Sequence, residues 1–221
     1  VTRADEVASV VREAFLVAKS GRPGPVLIDI TKDAQQSSCE FDWDAAAPSN
    51  DFMRPTPVAG EAGIRQALEL IRSARRPLVL AGHGLMLGNA TEEFRAFVDK
   101  TGVPVAMTLL GIGCLPASHP LNLGMMGMHG EAWVNTAIQE ADLLLAFGMR
   151  FDDRVTVRLD TFAPDAVVVH ADIDPAEISK NRAADVPIVG DVGEVIKDLI
   201  EQVTLDRATA HLPRLLYERL D

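Results

Sequence analysis

The run Leu143-Leu144-Leu145-Ala146-Phe147, followed at once by Gly148-Met149-Arg150-Phe151-Asp152-Asp153-Arg154, decides how this chain is read. Five apolar residues without polar alternation make a strand buried on both faces, the kind a parallel sheet uses. A glycine, two arginines and two aspartates crowd the point where that strand ends. In open α/β sheets ligands settle beyond the carboxyl ends of the strands, so charge concentrated there has the pattern of a binding site. A solvated charged turn uses the same residues, and spacing alone leaves both readings open.

The same unit recurs on either side. Ile64, Leu68 and Ile71 share one face of a predicted helix from about Glu61 to Ser73, and Pro77-Leu78-Val79-Leu80-Ala81 is a strand entering Gly82-His83-Gly84. Thr91 is placed to cap a helix running to Thr101, with Gly102 as its stop, and Val103 to Met107 is the next strand. A helix over His129–Glu140 precedes the Leu143 strand, and Ala166 to Ala171 is another strand. Asp174, Pro175 and Glu177 form a helix-start signal, which Asp191 and Glu194 repeat after Pro187-Ile188-Val189. Such alternation predicts an α/β class, a doubly wound, Rossmann-like parallel sheet over residues 58–203. Ahead of it lie a helix over Ala4–Lys19, a buried strand at Val26–Ile30, and a linker over 33–57 rich in Gln, Ser, Ala and Pro. Residues 204–221 read as a second linker, weakly helical from Leu205 to Asp221.

Composition narrows the function. With 221 residues and 48% hydrophobic content the chain buries an ordinary core, and a net charge of −11 disfavours nucleic acid or an anionic membrane as partner. The longest apolar runs, about five or six residues, are too short to span a bilayer, and no basic-then-apolar signal segment is visible. A cytoplasmic location is expected. Cys39 and Cys114 have no metal-type spacing, and the five histidines are scattered, so neither a disulfide framework nor a zinc site is indicated.

Met126-Gly127-Met128-His129-Gly130, the Arg150–Arg154 run and Asp172-Ile173-Asp174-Pro175-Ala176-Glu177-Ile178 resemble, in order and spacing, the central domain of the acetolactate synthase (acetohydroxyacid synthase) catalytic subunit. The likeness covers roughly Asp5 to Val203. Two departures stand inside it: Met149 replaces a usually smaller residue, and Leu110 a polar residue or methionine. The resemblance implies that residues 1–32 close a pyrimidine-binding domain, that 58–203 bind FAD, and that 204–221 lead toward a further domain. It implies a thiamine diphosphate-dependent transferase that condenses two pyruvates, or pyruvate with 2-oxobutanoate, with loss of CO2 in valine, leucine and isoleucine synthesis. The thiamine diphosphate and Mg2+ sites would lie outside this chain, which has neither their Gly-Asp-Gly motif nor a cofactor-activating glutamate, so the chain alone is expected to be inactive. Implied partners are a small 2-oxo acid, a second or further copies in a homodimer or tetramer, and a regulatory small subunit. Glyoxylate carboligase, or a stand-alone nucleotide-binding domain linked to NAD, are the rival readings.

The residues fall into place on this scheme. Gly82 and Gly84 let main chain approach a phosphate or a flat ring, or only make a tight turn. Thr108 and Leu109 sit at the next strand end, where the threonine bonds a ligand or its own turn. Met126, Gly127, Met128 and His129 stand at a helix entrance, with Met128 and His129 set to pack against a planar ring, while His83, His119, His170 and His211 are read as structural. Arg150 and Arg154 offer positive charge to an anionic diphosphate, with an internal Arg–Asp pair as the competing account, and Gly148, Met149, Asp153 and Val155 beside them are further cofactor-binding candidates. Asp172, with Ile173 after it, holds the position where dinucleotide folds place a carboxylate for ribose hydroxyls, or only caps the turn that follows, as Asp174 is read to do. Asp191 and Val192 begin a helix and reach toward the adenine end. By the resemblance these residues bind and shape a flavin that does no net redox chemistry, and Met128, Asp153 and Arg154 border the substrate channel. No catalytic residue and no metal ligand is assigned within this chain.

Overall fold

The computed structural model describes residues 1–43, 53 and 55–203. The chain divides into two compact units, Val1–Thr56 and Pro57–Asp221. The expected tail helix from Leu205, His211 and part of the 33–57 segment lie outside the described residues.

In the first unit a short 3-10 turn leads into helix α1 (Val7–Lys19), which buries none of its residues, and α2 (Lys32–Gln36) follows after Thr31. The strand expected at Val26–Ile30 does not form. Leu27 is 92% exposed, and the segment pairs with no strand among the described residues: Asp29 O accepts from the Val1 amino group and Ile30 O from Gln35 Nε2. Apolar β-formers make a strand only where a neighbouring backbone completes the ladder.

The second unit is a six-stranded sheet with every pair parallel: β1 (Pro77–Ala81), β2 (Val105–Met107), β3 (Asn122–Met125), β4 (Leu143–Phe147), β5 (Val167–Asp172) and β6 (Val186–Val189), in the order β3-β2-β1-β4-β5-β6. The chain leaves β1 toward β2 on one side and returns to β4 on the other, so the order reverses between β1 and β4. All five residues of β4 are buried, as its unbroken apolar run requires. Their alternation splits the core in two. Leu143, Leu145 and Phe147 pack with α3 (Glu61–Ser73), α5 (Thr91–Thr101) and α8 (Val192–Gln202); Leu144 and Ala146 face α6 (Ala132–Glu140). Among the described residues one long helix, α6, covers the second face, and Met149, Phe151 and Phe162 from the following loops fill what it leaves open. Burial of one such aromatic contributes roughly 1.5–3 kcal/mol.

Several boundaries moved. Strand β3 was not expected; its polar Asn122 and its Gly124 hide the apolar run. Ala90, not Thr91, occupies the N-cap of α5, with no side-chain bond, while Gly102 ends that helix in the left-handed conformation as expected (φ 69°). A one-turn helix α4 (Gly84–Leu87) follows the first glycine turn. The Asp174-Pro175-Glu177 signal yields a turn and no helix: Asp174 Oδ1 accepts from Ala176 N, Glu177 N donates back to Asp174 O, and Ser179 adopts φ 59°, which a continuing helix excludes. Its counterpart at Asp191 does cap, accepting from Gly193 N and Glu194 N at the start of α8.

Candidate functional site

The reversal between β1 and β4 is where a doubly wound sheet opens a crevice at its carboxyl edge. Here the crevice floor is main chain against main chain. Gly82 N donates to Phe147 O (3.0 Å), Gly84 N to Gly148 O (2.8 Å) and Gly148 N to Ala171 O (2.9 Å), tying the ends of β1, β4 and β5 together. A Cβ on Gly84 would stand 2.6 Å from Gly148 Cα, and one on Gly82 would overlap Gly148 O. These glycines are therefore required by backbone packing whether or not a ligand lies above them. Thr108 accepts from Gly111 N (3.1 Å), so its hydroxyl closes its own turn, and Leu109 and Leu110 beyond it stand 70% and 61% exposed.

The two motifs read as separate in sequence meet in space. Met128 N donates to Arg154 O at 2.8 Å, and Arg154 Nη1 lies 3.7 Å from Met128 Sδ. Gly127, at φ 96°, has no room for a side chain beside Arg154 O. Asn135, one turn into α6, holds the loop by a double amide clamp: Gly127 N donates to its Oδ1 and its Nδ2 donates to Gly127 O, both 2.9 Å. Met126 is buried in the core, while Met128 and His129 face outward.

After β4 the chain alternates again. Met149 and Phe151 turn inward (3% exposed each), and Arg150 between them turns out. The Met149 side chain belongs to the core, which explains why a large apolar residue is accommodated there, and any ligand beyond β4 would meet its backbone. Asp152 caps α7 (Asp153–Thr156), accepting from Val155 N at 3.2 Å, and pairs with Arg150 at 3.2 Å. The competing Arg–Asp account is thus partly realised, but a pair half open to water contributes at most about 1 kcal/mol. Arg154, exposed, has no carboxylate within ion-pair distance among the described residues.

The remaining candidates stand farther along the carboxyl edge. Asp172 ends β5, 8% exposed, with Oδ1 accepting from Asp174 N (2.9 Å), and Ile173 follows it half-buried. Asp191 is committed to the α8 cap beside Gly88, and Val192 is buried. No group of His, Cys, Asp or Glu among the described residues is arranged to hold a metal ion. Asn135, His170 and Asn181 were missed by sequence reasoning as parts of this region. For Asn135 and His170 the available signal was a polar residue inside an otherwise apolar helix or strand, which ordinarily reads as surface; Asn181, in an irregular segment, carried none.

With this geometry in place the comparisons with known proteins become informative. The family description "Thiamine pyrophosphate enzyme, central domain" matches residues 64–199, most of the second unit. This chain belongs to the thiamine pyrophosphate enzyme central-domain family. Among its relatives are the acetolactate synthase of Mycobacterium leprae, 52% identical over 90% of this chain, and the acetolactate synthase large subunit of Corynebacterium glutamicum, 47% identical over 94%. The chain spans about a third of the length of each (32% and 33%). An X-ray structure of a candidate thiamin diphosphate-dependent enzyme from Mycobacterium smegmatis superposes with a TM-score of 0.73 over 96% of this chain and 40% of that one, at 24% identity, a likeness of fold.

Proposed function

We propose that this chain is the FAD-binding middle domain of an acetolactate synthase. The observation that carries the reading is the pair of outward guanidinium groups, Arg150 and Arg154, beyond the carboxyl end of β4 at a crevice floored by Gly82, Gly84 and Gly148. In a chain of net charge −11 they set two guanidinium groups where the fold admits a ligand, and Arg154 has no carboxylate within ion-pair distance among the described residues. The donor set suits a dinucleotide with a flat ring: two arginines for a diphosphate, the Asp172 carboxylate for ribose hydroxyls, and exposed Leu109, Leu110 and Met128 for a planar apolar surface. Bound there, FAD would supply shape and not electrons. Arg150 and Arg154 would hold the diphosphate, and Asp153 and Val155 would border it from α7.

The full-length protein is then read as a thiamine diphosphate- and Mg2+-dependent transferase of the cytoplasm. It joins pyruvate to a second 2-oxo acid as a homodimer or tetramer, with a regulatory small subunit as a further partner. Its catalytic groups belong to other domains. The test is cofactor identity in the full-length protein: flavin absorbance and uptake of added FAD are expected, and binding of NAD in place of FAD would overturn the reading. Carboligation of glyoxylate with no acetolactate from pyruvate would move the protein to glyoxylate carboligase. Arg150→Ala is expected to weaken FAD about ten- to a hundredfold, with Arg150→Lys between, since lysine keeps the charge and loses the planar fork.

A further inference from the structure

Strand β5 reads Val167-Val168-Val169-His170-Ala171-Asp172, and the imidazole in its middle is wholly buried. His170 Nε2 lies 2.9 Å from Met149 O, and because a carbonyl only accepts, Nε2 carries the proton. The ring meets Phe151 edge-on, centroids 5.1 Å apart and planes at 88°. Nδ1 is buried without a hydrogen-bond partner. A phenylalanine of similar shape would fill this space without leaving a polar atom unsatisfied. The bond to Met149 O is what the histidine adds.

Met149 and Phe151 flank Arg150. His170 therefore grips the main chain before Arg150 and packs on the side chain after it. From the other side Asn181 Nδ2 donates to Phe151 O at 2.8 Å, and Phe162 meets the Phe151 ring at 6.0 Å. With both neighbours fixed, the Cα–Cβ direction of Arg150 is fixed outward, and only its own side-chain rotors remain to be ordered when an anion binds.

We propose that His170 and Asn181 are positioning residues for Arg150, holding its backbone so that the guanidinium is aimed at an anionic ligand beyond β4. This rests on the reading of Arg150 as a cofactor-diphosphate ligand. His170, wholly buried, acts only through the backbone it holds.

The test is a set of double-mutant cycles in the full-length protein, with FAD as the probe and fluorescence quenching as the readout, alongside melting of the flavin-free protein. His170→Phe, which keeps the ring and loses the donor, is expected to weaken FAD about three- to tenfold, the worth of one neutral hydrogen bond. His170→Gln, which retains a donor, should recover most of that loss. In an Arg150→Ala background His170→Phe should have no further effect on FAD affinity, while its effect on melting persists. An equal loss of affinity in both backgrounds, no loss in the parent, or a glutamine variant as weak as phenylalanine would overturn the positioning role and leave Arg150 as a ligand. Unchanged affinity in Arg150→Ala alone would overturn the cofactor reading, and the positioning role with it. Should His170→Phe not fold, Asn181→Ala at the exposed end of the clamp carries the same test: a loss in the parent and none beside Arg150→Ala is expected, and additivity refutes it.

Discussion

Gly82→Ala is the sharpest test of how the crevice is built. The new methyl would sit 2.6 Å from Met149 Cα and inside the radius of Gly148 O, so the ends of β1 and β4 would have to part by about 1 Å to reach ordinary contact. Two main-chain bonds hold them, Gly82 N to Phe147 O and Gly84 N to Gly148 O. Stretching these two bonds at roughly 1 kcal/mol each, with about 1–3 kcal/mol for overpacking, gives a loss of about 3–5 kcal/mol. Urea unfolding of flavin-free protein, followed by circular dichroism, measures it. Gly60→Ala is the control in the same unit: its methyl meets nothing within 4 Å, and only the modest N-cap advantage of glycine at the start of α3 is lost, about 1 kcal/mol. If Gly82→Ala costs no more than Gly60→Ala, the glycines serve ligand approach and not backbone packing, and the described floor of the crevice is wrong.

Val157 adopts φ 57°, ψ −62°, closed by Arg158 N to Thr156 O at 2.6 Å, a conformation that a β-branched residue enters at a cost of about 1–3 kcal/mol; Val157→Gly should therefore stabilise the protein by about 1 kcal/mol and raise its Tm by about 2–4 °C in a thermal melt. Burial pushes the pKa of His170 below its ordinary 6.5, against the Met149 carbonyl and the Asp172 and Glu177 carboxylates that favour the charged ring. The unfolded chain thus binds the proton first, so this stability is complete above pH 6.5 and falls as pH drops below it, by at most about 1.4 kcal/mol per pH unit; urea midpoints compared at pH 7.5 and 5.5 should show that slope in the parent and lose it in His170→Gln. Cys114 is buried with its thiol pKa pushed up to about 11 by desolvation, whereas Cys39 is exposed; mass spectrometry after iodoacetamide at pH 8 should find one label on the folded chain, at Cys39, and two after unfolding.

The sequence by itself determined the sheet. Runs such as Leu143–Phe147 are buried on both faces wherever they fold, and their alternation with amphipathic helices admits few topologies, so four of the six strands, the long helices α3, α5, α6 and α8, and the Asp191 cap were legible. Local signals failed where a long-range partner decides. Val26–Ile30 has strand composition without a ladder; Asp174-Pro175-Glu177 has a helix start with a turn after it; Asn122–Met125 becomes a strand through pairing with β2. For the site, composition identified the charged residues beyond β4 but could not assign them directions. Only the tertiary structure turned Met149 and Phe151 inward and Arg150 outward, brought Met128 against Arg154, and showed Gly82 and Gly84 filled by the backbone of Gly148. Hydrogen bonds and contacts between residues far apart in the chain depend on register between strands, and register is settled when the two faces of the sheet pack, not by any segment alone.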